Sequence, residues 1–126
     1  MKCVTLCLAA VALGAASPAF ATGTIECSST ISPTDGPHLS IVVGSAGIAQ
    51  ARLEQGNQSF ITGVGENAPL IGQSWLDRSS LRLSIVNATA STEILRLEAW
   101  RRAGTSYLGT MRYAGRTWRV RCTGED

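Results

Sequence analysis

Histidine is almost missing from this 126-residue chain, and lysine occurs only once. The single histidine, His38, follows a Pro-Thr-Asp-Gly-Pro turn, and none of the ligand spacings typical of zinc or calcium loops is found. A Ser–His–Asp arrangement could use only Asp35, His38 and a distant serine, and no pair of acids stands out for glycoside chemistry. We therefore expect a protein that is not an enzyme and needs no cofactor and no metal.

Long apolar runs are also missing, with one exception at the start of the chain. Lys2 precedes a 13-residue apolar run, Val4 to Ala16, and Ala19-Phe20-Ala21 then places small residues at a cleavage site. This pattern is typical of a secretory signal, and the run is shorter than the roughly 20 residues that span a bilayer. We predict a cleavable signal peptide over residues 1–21, a periplasmic or secreted location, and no membrane insertion.

Cysteine is scarce in residues 22–126, where Cys27 lies near one end and Cys122 near the other. An exported protein meets an oxidising compartment, and two cysteines allow only one pairing. A bridge that closes a loop of about 95 residues stabilises the fold by roughly 4 to 5 kcal/mol in the chain-entropy treatment. The sequence therefore predicts a single small β domain over residues 22–126, with its N- and C-terminal strands linked by a disulfide.

Turn-forming residues recur at short intervals after the signal, and several runs between them alternate apolar and polar side chains. This spacing is typical of an all-β fold. Strands are predicted at Thr24–Ser29, Leu39–Gly44, Ile48–Leu53, Ser59–Gly63, Leu70–Leu76, Ser80–Asn87, Ile94–Arg101, Ser106–Tyr113 and Arg116–Cys122. We expect a small antiparallel β-barrel or β-sandwich.

The last two predicted strands can be aligned through their connection, Ala114-Gly115. A two-residue hairpin loop there, of the kind that needs positive φ, places Met111 opposite Trp118 and Tyr107 opposite Cys122. These residues then share one largely apolar face, which we predict to be the inner one.

The strand before them is aligned through a three-residue loop, Arg102-Ala103-Gly104, which places Ala99 opposite Tyr107. The inner face then stays apolar across all three strands. A helix over 91–103 is the alternative, because this segment is rich in helix formers and Gly104 follows it like a C-terminal cap. That alternative would make the fold α+β.

Arginine is abundant near the C-terminus, with seven arginines and one acid, Glu98, between Arg96 and Arg121. A guanidinium can donate two parallel hydrogen bonds to a planar anion. The predicted register forms an outward arginine face from Arg96, Trp100, Arg112, Arg119 and Arg121. The predicted rows of this face run Arg96–Thr110–Arg119 and Glu98–Leu108–Arg121.

The arginine face suggests a non-catalytic, exported binding domain that contacts an anionic envelope polymer or an acidic protein. A solvated sheet face with ordinary cross-strand charge pairs is the alternative interpretation. Nucleic acid is not the expected partner, because the protein is exported and its formal net charge is only +2, of which Lys2 contributes one.

The layout of the chain, with a signal, about a hundred β-rich residues and a disulfide near the ends, resembles that of small periplasmic lysozyme inhibitors. These inhibitors carry a Ser-Gly-x-x-Tyr segment, and the nearest stretch here, Gly104-Thr105-Ser106-Tyr107, does not match it. Their targets are cationic, so an arginine-lined surface would repel them. The resemblance implies an inhibitor of an envelope enzyme as an alternative function, with no inhibitory residue carried over, and a small hydrolase using His38 is a further alternative.

Overall fold

The computed structural model describes residues 23–101 and 104–124, and these form β-strands and connecting turns without a helix. The strands are β1 (Gly23–Ser29), β2 (His38–Gly44), β3 (Gly47–Gln55), β4 (Gln58–Ile61), β5 (Leu70–Leu76), β6 (Ser80–Val86), β7 (Glu93–Arg101), β8 (Ser106–Tyr113) and β9 (Arg116–Gly124). The all-β prediction is confirmed. The helix alternative over 91–103 is wrong, since β7 occupies most of that segment. The predicted signal peptide, residues 1–21, lies outside the described residues.

All the described strands belong to one antiparallel sheet that is curled into a half-barrel, in the order β4-β3-β2-β1-β9-β8-β7-β6-β5. The chain therefore forms two meanders, β1–β4 and β5–β9, and strand pairing joins them along β1 and β9. Strands β3 and β5 also come into contact across the curl. Residues 62–69 can thus connect the two edge strands of the sheet over a short distance.

Alternate side chains of the strands form the hydrophobic core on the inner face of the curl, as the two-residue period of a strand requires. The largest fully buried side chains of the strands are Leu39, Ile41, Leu53, Leu81, Leu83, Ile85, Leu95, Leu97, Met111 and Val120. Full burial of one leucine or isoleucine side chain contributes roughly 1.5 to 3 kcal/mol. A one-residue slip of any central strand would expose this set, so the choice of inner and outer face is strongly fixed.

The predicted disulfide joins Cys27 of β1 to Cys122 of β9, which are direct cross-strand partners. Both cysteines are fully buried, and 95 positions separate them in the sequence. The bridge therefore lies at the seam between the two meanders. A disulfide is typical of an oxidising compartment outside the cytoplasm. Within the described part of the chain, no helix is long and apolar enough to cross a membrane.

The β8–β9 hairpin has the predicted register, with Met111 opposite Trp118 and Tyr107 opposite Cys122. Its two loop residues, Ala114-Gly115, both have positive φ, at 53° and 75°. This is the backbone of a type I′ turn, whose twist matches that of the flanking strands.

The predicted register between β7 and β8 is wrong by two residues. Ala99 pairs with Gly109 instead of Tyr107, and Tyr107 pairs with Arg101. A shift by an even number of residues leaves every side chain on its predicted face, because strand side chains alternate with period two. The inner and outer sets are therefore as predicted, but the neighbours across the strands are not.

Candidate functional site

The arginine face lies on the outer side of β7, β8 and β9. Its five predicted members, Arg96, Trp100, Arg112, Arg119 and Arg121, are all exposed, and each has a buried neighbour on at least one side along its strand. Trp100 is 45% exposed despite its size. The strands thus bring the predicted site residues together on one side of the sheet.

Cross-strand pairing decides which members of this face are neighbours. The observed rows across β7, β8 and β9 run Arg96–Arg112–Thr117, Glu98–Thr110–Arg119 and Trp100–Leu108–Arg121. The predicted rows are wrong in their β7 members, Arg96 and Glu98, because these depended on the β7–β8 register. Their β8–β9 pairs, Thr110–Arg119 and Leu108–Arg121, are confirmed. In the observed arrangement Arg96 and Arg112 lie directly opposite each other, and like charges in that position are unfavourable.

Glu93, at the start of β7, partly offsets this like-charge pair. Its Oε2 atom accepts hydrogen bonds from Arg96 Nε at 3.2 Å and Nη2 at 3.1 Å, and from Ser84 Oγ at 2.7 Å. The Ser84 hydrogen bond, followed by the hydrogen bonds and charge of Arg96 and the charge of Arg112, lowers the pKa of Glu93 below its ordinary value. Arg96 therefore already has a carboxylate partner in Glu93. Arg112 lowers the pKa of Glu93 through its charge but forms no ion pair with it.

The other arginines of the face have no carboxylate partner among the described residues. The ion pairs within 23–101 and 104–124 are His38–Glu26, Arg52–Glu54 and Arg96–Glu93. Arg112, Arg119 and Arg121 belong to none of these pairs. An exposed guanidinium group without an ion-pair partner can donate two parallel hydrogen bonds to a carboxylate, sulfate or phosphate group.

Two exposed residues beside the arginine face were not predicted as part of the site, Arg82 on β6 and Trp75 on β5. Arg82 pairs with Glu98 across β6 and β7, and Trp75 pairs with Arg82 across β5 and β6. The alternation of Leu81-Arg82-Leu83 could have placed Arg82 outward. No sequence signal, however, indicated its register against β7, so its position beside Glu98 was missed.

These two residues line an open groove with a volume of about 460 Å³ on the outer side of β5, β6 and β7. The polar and aromatic groups of this groove are Gln73, Ser74, Trp75, Arg82, Ser84, Arg96 and Glu98. Since Arg96 belongs to both, the groove is continuous with the arginine face.

His38 lies on the other half of the sheet and is not arranged as the base of a nucleophile. Its Nε2 atom lies 2.6 Å from Glu26 Oε2, which also accepts a 2.6 Å hydrogen bond from Ser40 Oγ. In a catalytic triad the histidine lies between the hydroxyl and the acid, whereas here the acid lies between them. The acid beside His38 is also Glu26, and not Asp35 as considered from the sequence.

The described residues also contain no group of three or more His, Cys, Asp or Glu side chains that could hold a metal ion. Their geometry supports an exposed, positively charged sheet face with an adjoining groove. Comparisons of the chain with protein-family models, with curated proteins and with solved structures found no match, so none of them links it to the lysozyme inhibitors that its layout resembles.

Proposed function

We propose that this protein is an exported, non-catalytic binding protein, periplasmic or secreted, whose arginine face holds an anionic envelope polymer or an acidic protein. The observation that carries the proposal is the set of exposed arginines, Arg112, Arg119 and Arg121, which share one side of the sheet without an ion-pair partner among the described residues. The buried disulfide supports a compartment outside the cytoplasm.

The contrast between the two halves of the sheet argues against an ordinary solvated surface. On the β1–β3 half Arg52 is matched by Glu54 in an ion pair at 2.6 Å. On the other half Glu93 forms an ion pair with Arg96, but Arg112, which faces Arg96 directly, belongs to no ion pair among the described residues. A bound anion would compensate the positive charge that Glu93 leaves unmatched.

The chain's small net charge bears on how such an anion would be recognised. With a formal value of +2 for the full sequence, long-range electrostatic steering is weak. Binding would therefore depend on where the arginines of the face place their paired hydrogen-bond donors, and charges elsewhere on the protein would contribute little. Charge reversals at different places on the protein can test this.

The test compares charge reversals that change the net charge equally but at different places. Arg119→Glu and Arg112→Glu alter the arginine face, and Arg52→Glu alters an exposed arginine on the opposite half. We expect the wild-type protein and Arg52→Glu to be retained on dextran sulfate at low salt. Each variant of the face should elute at clearly lower salt. In a plot of the logarithm of the binding constant against the logarithm of the salt concentration, the slope should become shallower by roughly one unit for each lost contact.

Circular dichroism and urea unfolding serve as controls that all three variants are folded. Equal weakening by Arg52→Glu and Arg119→Glu would show that net charge alone retains the protein, and the proposal would then be wrong. Lack of retention of the folded wild-type protein on every anionic matrix would also overturn it.

A further inference from the structure

The groove beside the arginine face presents two short rows of side chains across β5, β6 and β7. The rows run Trp75–Arg82–Glu98 and Gln73–Ser84–Arg96. Strand spacing makes this array about 10 Å wide across the strands and about 7 Å long between the rows. Its volume of about 460 Å³ falls within the usual range of small-molecule sites, and the groove is open to solvent.

Trp75 forms one wall of the groove and is held in a fixed orientation although it is 59% exposed. Its Nε1 atom donates a 2.9 Å hydrogen bond to Asp77 Oδ2. The other oxygen of the same carboxylate accepts the backbone N–H groups of Ser79 and Ser80 at 2.8 Å and 2.7 Å. A large flat apolar ring is thus kept in water at the mouth of a polar groove, where it can pack against a flat apolar ligand surface.

Arg82 and Glu98 form the floor of the groove and are cross-strand partners, yet they form no ion pair with each other or with another described residue. The guanidinium group of Arg82 can donate two parallel hydrogen bonds to an anionic group. Glu98 would repel a densely charged polyanion, but an ionised carboxylate accepts hydrogen bonds from hydroxyl groups. The floor therefore suits a ligand that carries both acidic groups and hydroxyls.

We infer that this groove binds an acidic saccharide, with the C–H face of a pyranose ring on Trp75, its carboxylate or sulfate on Arg82, and its hydroxyls on Glu98 and Gln73. The inference rests on the proposed function and specifies its ligand class. A run of acidic residues in a protein would supply carboxylates but no pyranose C–H face for Trp75 and no row of adjacent hydroxyls for Glu98.

The experiment measures binding of two acidic probes, trigalacturonate and a heparin-derived tetrasaccharide, by isothermal titration calorimetry. Maltotriose is the neutral comparison and poly-glutamate the acidic polypeptide. Trp75→Ala and Arg82→Gln alter the groove. Arg52→Gln is the matched control for Arg82→Gln, because Arg52 is an exposed strand arginine outside both the groove and the arginine face. Val64→Ala, at an apolar residue that is 57% exposed, is the control for Trp75→Ala. We expect at least one acidic probe to bind, with about tenfold loss of affinity in each groove variant and little change in either control.

Binding of maltotriose and poly-glutamate should be at least tenfold weaker than that of the acidic saccharide. The inference is overturned if neither acidic probe binds, if the groove variants lose no more affinity than Arg52→Gln and Val64→Ala, or if poly-glutamate binds as tightly as the saccharides. In each of these cases the proposed function would still be supported if the protein were retained on dextran sulfate and Arg119→Glu weakened that retention. Arg82→Gln replaces an exposed strand residue with another polar residue, so we expect this variant to fold. The inference can therefore still be tested with Arg82→Gln if Trp75→Ala unfolds.

Discussion

Gly109 lies on the inner face of β8, where the backbone of β7 passes close by. A Cβ atom at this position would collide with the carbonyl oxygen of Glu98 and come within 2.5 Å of the Cα atom of Ala99. Both obstacles are backbone atoms, which cannot move aside as a flexible side chain can. A glycine inside a strand often marks such a close approach, so the position required a residue without a side chain.

Gly109→Ala should therefore lower the free energy of unfolding by about 1 to 3 kcal/mol or more, because the added methyl group forces β7 and β8 apart. Gly44→Ala is the matched control, since the nearest atoms to its added Cβ lie 3.9 Å away. Urea unfolding of the two variants measures the difference. Equal stability of Gly109→Ala and Gly44→Ala would contradict this account of the β7–β8 contact.

At the scale of single residues, the sequence was sufficient to say which side chains point outward. Arg96, Arg112 and Arg119 lie on the predicted face because burying any of them would carry a large desolvation cost. Alternation also suits Arg82, whose two neighbours along β6 are buried leucines. What alternation cannot supply is the partner across the strand, and that is why the Arg82–Glu98 pairing was missed.

The turn between β5 and β6 is organised by one carboxylate, that of Asp77. Hydrogen bonds from Trp75 Nε1, and then from the backbone N–H groups of Ser79 and Ser80, hold the pKa of Asp77 well below its ordinary value of 3.8. The backbone carbonyl of Asp77 also accepts a 2.8 Å hydrogen bond from the Tyr107 hydroxyl. This residue therefore fixes both the hairpin turn and the aromatic wall of the groove.

Because the pKa of Asp77 is lower in the folded state than in the unfolded state, the ionised form stabilises the fold at pH values above the ordinary pKa. This contribution is lost as the pH falls below about 3.8. Asp77→Asn should be less stable than the wild type at neutral pH, and the difference should shrink as the pH is lowered towards 2. Urea unfolding between pH 7 and pH 2 measures this.

Asp35→Asn, which removes a carboxylate from an exposed loop, is the comparison for that experiment. It should change the stability at neutral pH much less than Asp77→Asn does, because the hydrogen bond that Asp35 accepts from Gln55 goes to its backbone carbonyl and not to its carboxylate. A parallel decline of stability in Asp77→Asn and the wild type below pH 4 would show that the carboxylate of Asp77 has no special role in the turn.

At the scale of elements, every strand of the sheet was predicted within a few residues of its observed bounds, because Gly, Pro, Asn and Asp mark the turns. The β7–β8 register differs from the prediction by two residues, although Gly104 has the expected positive φ of 73°. Registers that differ by two residues bury the same side chains, so the hydrophobic pattern cannot distinguish them. In the observed register the Arg101 guanidinium lies 4.9 Å from the centre of the Tyr107 ring, a contact that alternation does not predict.

The whole molecule consists of two meanders whose strand pairing meets at β1 and β9, and the disulfide crosses that seam. The near-terminal cysteines were enough to predict this central pairing. They were not enough to predict the groove, which depends on the registers of β5, β6 and β7 together. Such registers are set by many packing contacts at once, and no single motif in the sequence reports them.

Removing the bridge with the double substitution Cys27→Ala and Cys122→Ala should lower the free energy of unfolding by about 2 to 5 kcal/mol, since the closed loop spans 95 positions. Urea unfolding with and without reductant measures the effect. Reductant should destabilise the wild type to a similar degree and leave the double variant unchanged. A double variant as stable as the oxidised wild type would show that β1–β9 pairing does not need the covalent link.

The position of β1 beside β9 has a consequence for how the chain matures. Since synthesis proceeds from the N-terminus, β1 is made before the other described strands, while its neighbour β9 follows all of them. One edge of β1 therefore lacks its partner until β2 to β8 have been made, and until then β2 is its only neighbour in this sheet. An oxidant can join the two thiols only after residue 122 has emerged, so covalent closure comes after synthesis of the strands from β1 to β8.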